Sequence, residues 1–309
     1  MIKRLILSAM LLSATVIGSV ASAQPVLASD YTTTENKYVE VGGTRYAYRT
    51  IGNRGAKPPL VLFQHFTGTM DDWDRRTVEG LAKGRELIIF DNAGVGASEG
   101  QSPDSVAGMA EIAVQLIEAL KLQKVDALGF SLGGSIVQQL LIEKPSLIRK
   151  AVLVGSAPQG SAGFRQLPKV IATAIKTSGE TGRPLRALLF FTDTELGRAE
   201  ADEYLKNINN HSVDPEAPAS EQTMGAQAKA LVTWGSMPEN SEQLAQIKQP
   251  VLIVNGSKDL IAPTLESVTL FQRIPNAQLS LYPDSGHGSL FQHDTLFVSQ
   301  VDTFLDGPN

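Results

Sequence analysis

The chain has 309 residues, 42 % of them hydrophobic and 19 % charged, with a formal net charge of −5 and no cysteine. That length and apolar content support a buried core and exclude a disordered chain, and an acidic balance without a basic run argues against nucleic acid as a partner. The absence of cysteine excludes disulfides, thiolate nucleophiles, iron–sulfur clusters and cysteine-ligated zinc.

Met1-Ile2-Lys3-Arg4, the apolar run Leu5 to Val20 and the small residues Ala21-Ser22-Ala23 have the layout of a secretion signal over residues 1–23. A transmembrane anchor competes with it, but the run is interrupted by Ser8, Ser13, Thr15, Gly18 and Ser19 and falls short of the ~20 apolar residues a span needs. The expectation is therefore export to the periplasm or the medium, with no membrane span after signal removal. Residues 24–36 are small and polar and read as a flexible lead-in.

From there the chain alternates short apolar runs with helix-period stretches. Tyr38 to Val41, Gly42-Gly43 and Arg45 to Arg49 read as a hairpin. Leu60 to Phe63, Glu86 to Phe90, Val125 to Leu128, Ala151 to Val154 and Val251 to Val254 are continuously apolar or nearly so, as expected of strands buried on both faces. Gln278 to Tyr282 reads as a last, more mixed strand. Val106 to Leu120 carries Met109, Ile112, Ala113, Leu116, Ile117 and Leu120 on one helical stripe, Gly133 to Glu143 forms another helix closed by Pro145, and Phe291 to Leu305 a third. Alternation of this kind predicts an α/β fold with a mostly parallel sheet covered on both faces. The rhythm breaks between about Pro158 and Glu239, where only helix-like pieces such as Pro184 to Phe191 and Glu195 to Asn207 occur. The expected organisation is a core over 37–157 and 240–309 with a helical cap inserted at 158–239.

Gly129-Phe130-Ser131-Leu132-Gly133 has the form G-x-S-x-G. An ordinary glycine-rich turn would share the pattern, but this copy sits between a buried strand and a helix, where a nucleophile elbow must lie. Glycines on either side allow a sharp turn that lifts the serine hydroxyl above the sheet, and the helix N-terminus beside it favours negative charge. Such a serine needs a base and an orienting acid, in the chain order Ser, acid, His. Of the four histidines, His287 in Asp284-Ser285-Gly286-His287-Gly288 follows the last strand on a glycine-flanked loop. His293 reads as a surface or capping residue, and His211 falls in the cap. Asp259 ends the strand Val251 to Val254 and is favoured as the acid over Asp284, which is placed to brace the histidine loop. Asp126, inside a strand, reads as structural.

Gly129 to Gly133, Asp259 and His287, in this order and with strands to match, resemble the α/β-hydrolase fold superfamily across nearly the whole chain after the signal. Asp91-Asn92-Ala93-Gly94-Val95-Gly96-Ala97-Ser98 is similar to that family's D-x-x-G-x-G-x-S turn. Within it the chain looks most like small capped serine hydrolases, both esterases and cofactor-free haloperoxidases (perhydrolases). Phe63 to Asp74 resembles their stretch after the third strand, with Gln64-His65 where His-Gly is usual. The resemblance implies an oxyanion hole from the backbone N–H groups of Phe66 and Leu132. His65 beside it either touches substrate or, the commoner fate, holds the loop through a backbone hydrogen bond. Trp73 reads as packing, and Phe190, Phe191 and Trp234 are candidates for lining an apolar pocket.

The implied reaction is hydrolysis of an ester-type bond in a small molecule, through an acyl-enzyme on Ser131 with His287 as base and Asp259 as its orienting acid. No metal or organic cofactor is implied: the histidines are scattered, and neither a P-loop nor a G-x-G-x-x-G pattern occurs. Serine at the elbow argues against the dehalogenases and epoxide hydrolases of this fold, which carry aspartate there. The missing His-Gly-Gly-Pro loop argues against a proline iminopeptidase. Perhydrolysis, carbon–carbon bond hydrolysis and a non-catalytic ligand-binding role remain as alternatives, and oligomeric state is left open.

Overall fold

The computed structural model describes residues 30–308, so the signal reading at 1–23 lies outside the described residues. Eight strands form one sheet: β1 (Lys37–Val41), β2 (Thr44–Ile51), β3 (Leu60–Phe63), β4 (Leu87–Phe90), β5 (Val125–Phe130), β6 (Ile148–Val154), β7 (Val251–Gly256) and β8 (Ala277–Tyr282). Their spatial order is β1-β2-β4-β3-β5-β6-β7-β8. β1 and β2 form the expected antiparallel hairpin, β2 runs antiparallel to β4, and every later pairing is parallel. Every residue of β3, β4, β5 and β7 is buried, because helices cover both faces; this explains why their sequences run apolar instead of alternating. The edge strand β8 is mostly half-exposed and correspondingly mixed.

β3 stands between β4, which follows it, and β5. The chain therefore leaves β3 toward one side of the sheet and returns on the other, opening a crevice at the carboxyl ends of β3 and β5. The segments that emerge there are the ones beginning at Gln64 and Ser131.

Helices α1 (Arg75–Ala82), α2 (Val106–Ala119) and α3 (Leu132–Glu143) lie between the early strands. In α2 the predicted stripe is buried through Met109, Ala113, Leu116 and Ile117, and the Ser105 hydroxyl caps the helix by accepting from the Gly108 amide at 3.2 Å. Between β6 and β7 come α4 (Ala162–Arg165), α5 (Leu167–Thr181), α6 (Leu185–Phe190), α7 (Glu195–Ile208), α8 (Glu221–Ser236) and α9 (Ser241–Leu244). No strand interrupts this stretch among the described residues. α10 (Thr264–Arg273) joins β7 to β8, and the predicted helix Phe291 to Leu305 is divided at His293 into α11 (Ser289–Gln292) and α12 (Asp294–Asp306). No helix among the described residues is long and apolar enough to cross a membrane.

One expectation is overturned. Residues 30–36 are not a loose lead-in: Tyr31 is fully buried, its hydroxyl donates to the Met70 carbonyl, and its ring meets His211 edge-on at 4.8 Å. A short 3₁₀ turn, Tyr31–Thr33, is capped by the Asp30 carboxylate. One aromatic ring outweighs its polar neighbours, because burying it removes a large apolar surface from water.

The same region ties the insertion to the core. Arg49, on β2 with no exposed side-chain surface, donates to Asp71 at 2.6 Å, to Asn36 at 2.7 Å and to the Asp214 carbonyl at 2.9 Å, and lies 3.4 Å from Glu216. Asp71 in turn accepts from the Glu216 amide at 2.8 Å. The Pro-rich break at Asp214 to Pro218 is thus strapped down by buried charge. Removing one member of such a cluster strands the others. Arg49→Met should cost about 3 kcal/mol or more, read as a lowered urea midpoint; an unchanged midpoint would show that the strap contributes little to stability.

Candidate active site

The turn after β5 has the geometry its glycines suggested. Ser131 sits at φ 57°, ψ −115°, a backbone region costly for any residue with a Cβ. A Cβ on Gly129 would lie 2.4 Å from the Gly133 carbonyl oxygen, and one on Gly133 only 2.0 Å from that of Phe63. Glycine at both positions is therefore what lets α3 begin directly against β3 and β5. Ser131 stands at the N-cap of α3 but makes no side-chain capping bond, so its hydroxyl is not spent on the helix. The helix points its positive end at this turn.

His287 follows β8 on the loop that starts at Pro283. Its Nδ1 lies 2.8 Å from Oδ2 of Asp259, and the Asp259 Oδ1 accepts from the amides of Ile261 and Ala262 at 2.8 and 2.9 Å. Three donors converge on two carboxylate oxygens, which fixes Nδ1 as the protonated nitrogen and leaves Nε2 with a lone pair. The imidazole is nearly fully buried and packs on Phe130 and Phe190, with ring centroids 5.0 and 5.8 Å apart. Asp284 does not compete for it: its carboxylate accepts from the Thr194 hydroxyl at 2.8 Å and its carbonyl from Gln292 at 2.5 Å, so it braces the loop against α7 and α11. Asp126 is bound by Arg149 at 2.6 Å and lies 3.4 Å from Arg85, away from this turn.

Ser131 and His287 share the wall of a cavity of about 430 Å³ under the inserted helices. α5 supplies Leu167, Ile171 and Ile175 to it, α6 supplies Leu185, Arg186, Leu189 and Phe190, and α8 supplies Met224, Gly225, Ala228 and Leu231. The lining is dominated by apolar side chains, and none of the residues on this wall is a carboxylate. Of the expected pocket residues, Phe190 is in place. Phe191 faces a separate, outer cavity. Trp234 is a correction: one turn beyond Leu231, α8 has left the cavity, and the indole donates to the Ala157 carbonyl at 3.0 Å in the packing beneath.

The loop after β3 holds its shape without the usual glycine. The Gln64 side chain accepts from the His65 amide at 2.9 Å and donates to the Thr69 carbonyl at 2.8 Å, so it spans the loop from inside. The Thr67 amide, at φ 62°, donates to Gln227 Oε1 of α8 at 2.7 Å. Fixed from both sides, the backbone N–H of Phe66 and that of Leu132 have no hydrogen-bond partner among the described residues. The departure at Gln64 was visible in the sequence but its bracing role was not, and Gln227 escaped the reading altogether; both are fully or almost fully buried polar side chains.

His65 does more than one thing. Its Nδ1 bonds the Phe66 carbonyl oxygen at 2.8 Å, while the ring lines the cavity and is nearly fully buried. Burial first, and the nearby Arg186 guanidinium second, hold its pKa down to about 4. Arg186 also was not singled out, although one charge inside the apolar run Leu185 to Phe190 is a signal. Its guanidinium grips both oxygens of Asp72, at 2.7 Å from Nη2 to Oδ2, and so joins the inserted helices to the core beside the cavity. His211 lies in the Arg49 cluster, 3.3 Å from Asp71, and His293 Nε2 lies 3.1 Å from the Pro283 carbonyl. No group of three or more His, Asp or Glu among the described residues is gathered as a metal site.

A family model described as "alpha/beta hydrolase fold" matches residues 58–294. Among solved structures, an alpha/beta hydrolase fold protein from Chitinophaga pinensis is 44 % identical, with a TM-score of 0.86, covering 91 % of this chain and all of that one. A proline iminopeptidase from Clostridium botulinum is 27 % identical over 84 % of this chain and 94 % of its own length. A 2-hydroxymuconate semialdehyde hydrolase from Pseudomonas putida is 29 % identical over 72 % of this chain and 77 % of its own length. The matched stretch takes in Ser131, Asp259 and His287, and the chain belongs to the alpha/beta hydrolase fold family.

Proposed function

We propose that the protein is a serine hydrolase that cleaves an ester-type bond in a small, largely apolar molecule. The observation that carries this reading is the 2.8 Å contact between His287 Nδ1 and Asp259 Oδ2 on the same cavity as a strained Ser131. The Ser131 hydroxyl attacks the carbonyl carbon as His287 Nε2 takes its proton, and Asp259 holds the tautomer and steadies the imidazolium. The oxyanion accepts hydrogen bonds from the free amides of Leu132 and Phe66, aided by the α3 terminus. Collapse expels the alcohol with the proton from His287. Water then attacks the acyl-enzyme with the same base.

Proline iminopeptidase action, for which the Clostridium botulinum relative is named, must hold a substrate ammonium. The absence of any carboxylate from the cavity lining works against that. Carbon–carbon bond hydrolysis would use the same serine and histidine on a diketone, and the relative named for a semialdehyde hydrolase keeps it as the second reading. Perhydrolysis would share the triad and require peroxide as co-substrate.

The test is hydrolysis of p-nitrophenyl esters from C2 to C12. Ser131→Ala should lower kcat by about 10⁴-fold or more; activity surviving that change would sink the mechanism. A folded wild type inert on every length would shift weight to carbon–carbon cleavage.

Gln227 acts at one remove, through the Thr67 amide, as a positioning residue. Gln227→Leu should lower kcat about tenfold with little change in KM, and Gln227→Glu, which keeps the oxygen acceptor, should retain most of the rate. Equal losses in both variants would point to packing instead. We further propose export, supported by the residue pattern of 1–23. N-terminal sequencing of protein secreted by a bacterial host should begin at Gln24, and full-length protein confined to the cytosol would overturn it.

A further inference from the structure

Two acids that the reaction above does not use meet under the Pro-rich strap. Glu216, with no exposed side-chain surface, belongs to the strap itself, and the fully buried Asp91 to the turn after β4. Their carboxyl groups are hydrogen-bonded to one another. Gly96 shows how closely they converge: a Cβ there would lie 2.2 Å from Glu216 Oε2 and 2.3 Å from Asp91 Oδ2. Asp91 Oδ1 accepts from the Met70 amide at 2.7 Å and Oδ2 from the Ala97 amide at 3.1 Å, while Glu216 Oε1 accepts from Asn36 at 2.8 Å. Glu216 Oε2 meets no N–H or O–H donor from any other described residue. Two carboxylate oxygens only accept, so they cannot bond to each other without a proton. Left bare at this spacing and away from water, the two charges would repel strongly.

We propose that Asp91 and Glu216 share one proton between Oδ2 and Oε2, and that this proton is a latch: it holds the strap at 211–218 on the core, and its loss at alkaline pH releases the strap. The strap leads into α8, which carries Met224, Gly225 and Leu231 to the cavity and Gln227 to the Thr67 amide. On the core side, Asp91 holds the Met70 amide at the far end of the loop after β3. The neighbouring charges do not replace the proton. Arg49 of β2 lies 3.4 Å from Glu216 Oε1 but gives a shorter bond, 2.6 Å, to Asp71, which His211 of the strap also approaches at 3.3 Å. Asp72 is taken up by Arg186 of α6. Tyr31 bonds the Met70 carbonyl, and burial raises its phenol well above the usual value; burial also holds His211 below its own, so both are neutral at pH 7. Asp71, Asp72, Asp91 and Glu216, all ionised, would set four negative charges against two guanidinium groups, and the shared proton reduces them to three. Burial first, and the Glu216 charge second, raise Asp91 well above the ordinary carboxylate range. The latch is therefore closed below that ordinary range and is lost as pH rises through the raised native value.

The experiment compares the wild type with Glu216→Gln, which keeps Oε1 as an acceptor and offers Asp91 an N–H that does not titrate. Urea unfolding of both is followed from about pH 5 to about pH 9. The wild-type folding constant should fall relative to that of the variant by up to about tenfold per pH unit, until the native pair has lost its proton, and then run parallel to it. Arg49, Asp71, Tyr31 and His211 are present in both proteins, so their own titrations divide out of the ratio. Limited proteolysis, scaled to the cleavage of an unstructured peptide at each pH, should cut 211–218 several-fold faster at the alkaline end in the wild type and at a constant rate in Glu216→Gln. A ratio that does not change with pH would show that no proton is shared and overturn the proposal. A variant that fails to fold, or is less stable than the wild type at every pH, would show Glu216 to be ionised and overturn it as well. A falling ratio with strap cleavage rising equally in both proteins, or in neither, would leave a buried proton without a latch and also overturn it. None of these readouts involves ester hydrolysis, so the outcome stands apart from the hydrolase reading.

Discussion

A serine held at φ 57° is the constraint on which the remaining geometry depends. Backbone in that region costs about 1–3 kcal/mol and persists only where its surroundings leave no alternative. Here they leave none: the Ser131 amide donates to the Val154 carbonyl at 2.9 Å, its carbonyl accepts from Gly134 at 2.9 Å, and α3 starts against β3 with no room for a Cβ at Gly133. The turn faces the crevice that the strand order β4-β3-β5 opens. The residues assigned to act with Ser131 in the proposed reaction arrive from strand ends: Phe66 after β3, Asp259 after β7 and His287 after β8. Scaffold strands fix the origins of these segments, and short loops do only the final aiming.

The inserted helices close the crevice, and they are held by charge as well as by apolar packing. Arg186 with Asp72, and Arg49 with Asp71 and Glu216, are ion pairs that bridge insertion and core. Arg49 is fully buried while Arg186 is partly exposed; a buried pair gains little stability over an apolar replacement, yet breaking one leaves a stranded charge. Stacking of Tyr204 on Phe291, with centroids 4.7 Å apart, and the Tyr204 hydroxyl on the Asp72 carbonyl at 3.0 Å add to the same join.

How much of this was legible depended on whether the information was local. Leu60 to Phe63 or Val251 to Val254 declare buried strands because four consecutive apolar residues satisfy both sheet faces. The elbow is legible because its glycines answer a steric demand within five residues. Tyr31 misled because composition averaged one aromatic into a polar stretch, and Trp234 because a helix that faces the cavity at Met224 and Leu231 has left it a turn later. α5 and α8 were not separable in the sequence, since alanine, glycine and threonine dilute their stripes. Gln227 could not be read at all: its partner Thr67 is 160 residues away, and a glutamine on an amphipathic helix carries no mark of being buried.

That glutamine shows how the departure from His-Gly at Gln64-His65 is accommodated. A glycine in the oxyanion loop contributes by its small size and leaves the amide direction to the backbone. A histidine there is bulky, so the direction has to be imposed by bonds: Gln64 spans the loop internally, and Gln227 reaches it from α8. The loop then depends on the insertion being in place, which couples the helices that line the cavity to the amide that would stabilise an oxyanion in the proposed reaction. The His65 Nδ1 is engaged by the Phe66 carbonyl, and burial together with the nearby Arg186 holds the ring's pKa down. Losing the glycine thus exchanges a self-sufficient loop for one that is braced by the insertion.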